Sequence, residues 1–249
     1  MPHIVCVAYR YQSAMTMTVS MKSAWILAAN VILVTLFSAP ALGQTKQFWP
    51  ELDVYVKINE KVRLYFSAAG TKENGENTDA DFGASIDFHV KPLVSLKKTR
   101  GDHRDESKSK LLLLRAGYHY IPSRQGPSES RIALDAIPRV PLKAGVVATA
   151  RNRMELRFVD SDFSWRFRHR LGIERNVAIR SYEITPYLRA EFYYDGTYHK
   201  WSRTALTAGC VFPIRKRSEI EAYYEHQNKT ETSPNRQVKA IGVQLNLYF

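Results

Sequence analysis

Two cysteines, Cys6 and Cys210, are all that the 249 residues contain, so no disulfide framework can hold this fold together. Long apolar runs are equally scarce. After position 43 the longest is Leu111 to Leu114, far short of the roughly 18 residues that a membrane helix needs. Acidic charge is short as well: 24 Asp and Glu stand against 36 Lys and Arg, a formal charge of +12. A helical period of consequence, a low-complexity tract and an interdomain linker are all missing. So are a Gly-rich phosphate loop, a metal-ligand spacing and a paired-carboxylate motif. These absences argue against helical membrane proteins, disulfide scaffolds and cofactor-binding enzymes; neither a cofactor nor a metal is expected.

What is present begins with a charged start at Met21-Lys22, an apolar stretch from Ala24 to Phe37 and the small residues Ala39-Pro40-Ala41-Leu42-Gly43. That is the layout of a secretory signal peptide, with cleavage expected after Gly43 or, alternatively, after Ala41. Residues 1–43 are read as the leader and 44–249 as the mature chain. Met21 reads as the true start, an extended n-region from Met1 being the alternative. Cys6 lies upstream of the cleavage site, so no lipid anchor is expected. About 206 residues remain, one domain's worth. Setting aside Arg10 and Lys22 leaves 34 basic and 24 acidic side chains. An exported chain does not meet nucleic acid, so this excess points to lipopolysaccharide phosphates, small anionic solutes or the chain's own carboxylates.

The repeating signal is period-two alternation in short segments separated by polar breaks, which is how a transmembrane barrel is written in sequence. Leu52, Val54, Val56 and Ile58 alternate, Asn59-Glu60 makes a tight turn, and Val62, Leu64, Phe66 and Ala68 alternate again. A polar loop is expected at Thr71 to Asp79, then a strand through Phe82, Ala84, Ile86 and Phe88. Lys97 to Lys110 reads as a long charged loop before Leu112 to Tyr120. Further strands are expected near 130–137, 146–158, 163–174, 181–194, 201–212, 219–227 and 237–249, with turns at Pro138 to Lys143, Asn176 to Arg180 and Pro213 to Arg217. The fold class is therefore all-β, a single antiparallel up-and-down transmembrane β-barrel. Eleven segments are visible; because single-chain bacterial barrels have even numbers, about twelve strands are expected, with ten as the alternative. Gln44 to Trp49 and Pro92 to Lys97 are the candidate places for the missing one.

The last strand carries its own signal. Ile241, Val243, Leu245, Leu247 and the terminal Phe249 are apolar at every second position, with Gly242, Gln244, Asn246 and Tyr248 between them. This resembles the closing strand by which the barrel-assembly machinery recognises its substrates. Trp49, Tyr120, Trp165, Tyr194 and Trp201 fall near strand ends, where an aromatic girdle belongs.

Alternation leaves a polar set facing inward, dominated by arginine: Arg115, then Arg153, Glu155 and Arg157, then Arg166, Arg168, Arg170 and Glu174, then Arg189 and Glu191, with Glu221 and Glu225 further on. Neighbouring strands lie under about 5 Å apart, so these groups are expected to meet across strands. Such a ladder can simply fill a small barrel while pairing its own charges, or its excess arginine can line a narrow passage that attracts anions. A hydrolase reading needs a serine activated by histidine. His119, His169 and His226 are the candidates, and none has a recognisable partner in sequence, nor does Ser164. Strict alternation turns His169 outward, unless a one-residue bulge turns it in.

Phe48-Trp49-Pro50, Leu114-Arg115-Ala116-Gly117-Tyr118, Arg151-Asn152-Arg153, Asp162 to Arg168, Thr185-Pro186-Tyr187, Lys200-Trp201-Ser202-Arg203 and Leu245 to Phe249 together resemble the bacterial domain-of-unknown-function family 2490. The resemblance covers nearly all of the mature chain and implies an outer-membrane barrel without implying a reaction; it carries over no catalytic residue. The expected location is the bacterial outer membrane, and three readings of function stay open. They are a narrow porin-like channel with an arginine-rich lumen, a closed envelope barrel binding outer-membrane lipid and lipopolysaccharide, and a lipid-modifying hydrolase.

Overall fold

The computed structural model describes residues 44–90, 111–124, 126–160, 162–180, 182–231 and 235–249. The expected leader, residues 1–43, and the charged segment Lys97 to Lys110 lie outside these, as does the Pro92 to Lys97 stretch. Among the described residues there are twelve strands: β1 Gln44–Lys57, β2 Val62–Glu73, β3 Glu76–Val90, β4 Leu112–Ile121, β5 Glu129–Pro141, β6 Val146–Val159, β7 Asp162–Arg175, β8 Val177–Ile179, β9 Tyr182–Asp195, β10 Lys200–Arg215, β11 Ser218–Lys229 and β12 Arg236–Tyr248. Eleven of them form one closed ring in chain order, β8 standing outside it, and no helix among the described residues is long and apolar enough to cross a membrane.

Every contact within the ring is antiparallel except the closure. There β1 runs parallel to β12, from Gln44 beside Gln237 to Tyr55 beside Tyr248. Parity forces this: after an odd number of alternating strands the last points the same way as the first. The expected even ring is thus replaced by an odd one, and the twelfth strand is the three-residue β8. It pairs only with the start of β9, where Asn176 to Arg180 reads in sequence as a plain turn. Gln44 to Trp49 is the first half of β1, not a separate strand. The seam is held by backbone bonds such as Phe249 N to Tyr55 O at 2.8 Å. On its inner side Tyr55 stacks between Tyr248 and Tyr65, at 5.0 and 4.9 Å, and Gln244 donates to Asp53 at 2.8 Å.

Turn chemistry sets the strand ends. Asn59 Oδ1 accepts from the backbone N–H of Lys61 and Val62, both at 2.9 Å, which closes the first hairpin. The polar loop expected at Thr71 to Asp79 is instead a two-residue hairpin. Asn74 and Gly75 have φ of 52° and 94°, the paired positive angles that an Asn-Gly hairpin turn requires. Strand ends beyond the apolar belt are polar, and polarity alone does not distinguish them from loop. Likewise β5 continues through Pro138 to Pro141 and β10 through Pro213 to Arg215, where the register shifts by a bulge. Gly75→Ala is expected to cost ~1 kcal/mol or more, since a Cβ strains this φ, whereas Asn74→Gly is expected to be nearly neutral; urea midpoints of the refolded protein check both.

Polarity runs opposite to that of a water-soluble barrel. Leu206, Ile241 and Leu188 point outward, more than half exposed, while Asp87 and Glu155 are fully enclosed on the inside. Apolar residues such as Leu113, Val211 and Val238 contribute only small buried patches. At one rim the outer face carries a cluster in which Trp165 stacks on Tyr194 and Tyr194 meets Trp201 edge-on, each pair at 5.6 Å. Trp49, expected in this girdle, points inward because Phe48 takes the outward position; its Nε1 donates to Gln47 at 3.0 Å and its ring tilts toward Tyr223.

Candidate functional site

Alternation aims one face of every ring strand at a common interior, and that interior holds a cavity of about 790 Å³. Its lining runs from Gln47 and Lys229 near the rim where β1 begins to Arg139 and Tyr248 near the other rim. Of the residues expected to line it, Arg115, Arg153, Arg157, Arg166, Arg168, Arg170, Glu174, Arg189, Glu221 and Glu225 do so. Glu155 and Glu191 also point inward but lie buried beneath the guanidinium groups, against the wall.

The layering has a physical cause. Carboxylates on short side chains stay near the sheet, and the longer arginines reach over them toward the axis. On the wall formed by β5, β6, β7 and β9, Asp135 takes a bidentate pair from Arg153 at 2.7 and 2.8 Å. Glu155 accepts from Arg166 Nε at 2.7 Å and Arg168 Nη1 at 2.8 Å. Glu191 accepts from Arg151, Arg168 and Arg170 at 3.0, 2.9 and 2.7 Å. Nearer the rim Glu129 serves Arg131 and Arg157, at 2.9 and 2.8 Å. Bidentate, charge-assisted geometry of this kind is the strong form of the interaction. A separate node sits on β2, β3 and β4, where Arg63 and Arg115 close on Asp87 at 2.7 and 2.6 Å and lie over the rings of Tyr55 and Tyr65.

Sequence reasoning identified many of the arginines and the counterions Glu155, Glu191 and Glu221, and missed the counterions Asp87, Glu129 and Asp135, the inward carboxylates Glu51 and Asp53, and Arg63, Arg131 and Arg151. The available signal was parity, since each of these shares the inward register of a neighbour already assigned. Thirteen basic and nine acidic side chains line the cavity, and five further carboxylates, Asp87, Asp135, Glu155, Glu191 and Asp195, lie buried behind them. The interior is therefore close to charge balance, unlike the uniformly cationic lining that the arginine count alone suggests.

The histidines do not converge. His119 faces inward and shares a hydrogen of its Nδ1 edge with Asp81 at 2.7 Å, while its Nε2 is enclosed with no hydrogen-bond partner. His169 stays outward in unbroken register between Asn152 and Phe192, so there is no bulge to turn it in; it bonds Asn152 at 2.7 Å instead. His226 is outward between Leu206 and Lys239. With His119 inward and His169 and His226 outward on separate strands, the three imidazoles do not share a site. Among the described residues no group of His, Cys, Asp or Glu is arranged to hold a metal ion. Cys210 is a half-buried free thiol.

Ile241, Val243 and Phe249 are exposed on the outer face of β12, whereas Gln244, Asn246 and Tyr248 line the cavity. A search of the curated proteins finds no match. The family model for a protein of unknown function, DUF2490, matches residues 46–238, from the third residue of β1 to the third of β12. With the match spanning most of the chain, this barrel belongs to the DUF2490 family.

Proposed function

We propose that this is an exported barrel of the bacterial outer membrane whose interior forms a narrow, water-filled passage for small polar solutes. The observation that carries the reading is a charged cavity reaching toward both rims inside a ring whose outer surface is apolar. Lipid offers no hydrogen-bond partners, so a spanning sheet must close on itself and turn its greasy face outward. Three further features support it: the sequence of the leader, the aromatic cluster of Trp165, Tyr194 and Trp201 at one rim where headgroups meet acyl chains, and a last strand that suits recognition by the assembly machinery.

Scale supports a small solute. About 790 Å³ spread over the ~20 Å along the axis that separates the levels of Gln47 and Tyr55 makes a narrow lumen. The test is planar-bilayer conductance of the refolded, detergent-purified protein in KCl: discrete small steps are expected. Their absence from preparations whose gel migration is heat-modifiable overturns the passage. A closed envelope barrel is the second reading. It is supported by the outward lysines Lys46 and Lys239, adjacent across the seam, with Lys72 beside Phe48, which suit lipopolysaccharide phosphates; it predicts lipid binding without conductance.

A further inference from the structure

The two halves of the interior are unequal. Around the ring, β11, β12 and β1 stand opposite β5, β6 and β7. The first side presents carboxylates held by neutral donors. Asp53 accepts from the hydroxyls of Tyr55 and Tyr65, both at 3.0 Å, and from the Gln244 amide at 2.8 Å. Glu225 accepts from Thr207 at 2.8 Å and Gln227 at 2.6 Å. Glu51 lines the cavity. Among the described residues, no guanidinium or ammonium group lies within ion-pair reach of Glu51, Asp53 or Glu225.

The facing wall has the reverse imbalance. Glu191 is shared by Arg151, Arg168 and Arg170; Arg168 also reaches Glu155 at 2.8 Å, whereas the Nε of Arg151 is enclosed with no hydrogen-bond partner, Asp135 being 3.8 Å away. Glu51, Tyr223 and Arg170 all line the cavity between the two poles, and at the level of Tyr223 on β11 that ring is flanked by Glu221 and Glu225.

We infer that this level is a binding constriction for small zwitterions of the amino-acid class, the ammonium group held toward Glu51 and Glu225 and the carboxylate toward Arg151 and Arg170. The inference rests on the interior being a passage. Charges fixed on opposite low-dielectric walls focus a field across the gap. An uncharged solute gains nothing from that field, and a simple ion gains at one wall what it loses at the other. A molecule with both charges gains at both ends, through charge-assisted hydrogen bonds.

The experiment compares alanine with lactamide, its uncharged isomer, in swelling of liposomes containing the protein, with KCl conductance measured on the same preparation. Alanine is expected to enter several-fold faster. Glu51→Gln combined with Glu225→Gln, or Arg170→Gln, is expected to bring the two rates together. If KCl conductance is absent, the passage fails and this inference fails with it. If conductance is present but alanine and lactamide enter alike, or their ratio survives these substitutions, the passage stands and the zwitterion site is overturned. Glu51→Gln alone, at a carboxylate that holds no ion pair, keeps the test decisive should the double variant fail to fold.

Discussion

Glu155→Gln is expected to weaken the barrel by about 3–5 kcal/mol, the usual consequence of removing one partner from a buried ion network. Glu155 is fully enclosed and receives Arg166 Nη2 at 2.6 Å and Arg168 Nη1 at 2.8 Å, with Arg131 and Arg153 at 3.7 and 3.8 Å. Glutamine keeps the shape, removes the charge and turns an NH₂ group toward guanidinium donors, of which Arg168 retains Glu191 but Arg166 is left with no other carboxylate among the described residues. The cost is thus less a lost attraction than positive charge left together, away from water. Urea titration of the refolded protein in detergent, followed by tryptophan fluorescence, measures it. Glu225→Gln is the contrast: its partners Thr207 and Gln227 are neutral, and a change within about 1 kcal/mol is expected. Equal effects at the two positions would mean that water screens the Glu155 network and that the layering described for this wall carries no energy.

The second large effect is expected at Gly242. The Tyr223 ring lies directly over it, so that any Cβ at this position would overlap the ring, and the same ring tilts against Trp49 across the closing seam at 6.4 Å. Tyr187 covers Gly209 in the same manner. Gly242→Val is expected to displace Tyr223 into the cavity and to cost about 1–3 kcal/mol, the range for forced overpacking. Adding Tyr223→Ala should recover part of that loss, because the clash then has no second party. The midpoint of unfolding in the single and double variants checks this. Full additivity of the two substitutions would show that glycine is not there to seat the ring.

How much of this was legible in the sequence follows from which physical rule each feature obeys. The ring strands obey strict alternation, and so Arg115, Arg153, Arg157, Arg166, Arg168, Arg170 and Arg189 could be named residue by residue. Their counterions obey the same parity: Asp87 shares its inward face with Asp81, Ser85 and His89, and Asp135 with Glu129, Arg131 and Arg139, but on β3 and β5 the charges are spaced by Gly, Ser, Ala or Ile and make no run that stands out as the arginines do. Trp49 shows the limit of composition: a tryptophan near a strand end suggests an outer girdle, but register decides, and Phe48 already held the outer position. The hairpin at Asn74-Gly75 was written in the sequence as a two-residue turn signal and was masked by the polarity of the strand ends around it. The parallel closure is of another kind. It is a property of the number of ring strands, and no single residue encodes that number.

That odd number has a topological result. A thread that passes through a wall an odd number of times has its two ends on opposite sides, so Gln44 and Phe249 emerge at opposite rims of the ring. Epitopes attached beside each of them would report from the two compartments that any bilayer around this barrel separates, so that antibody added from one side meets only one of the pair.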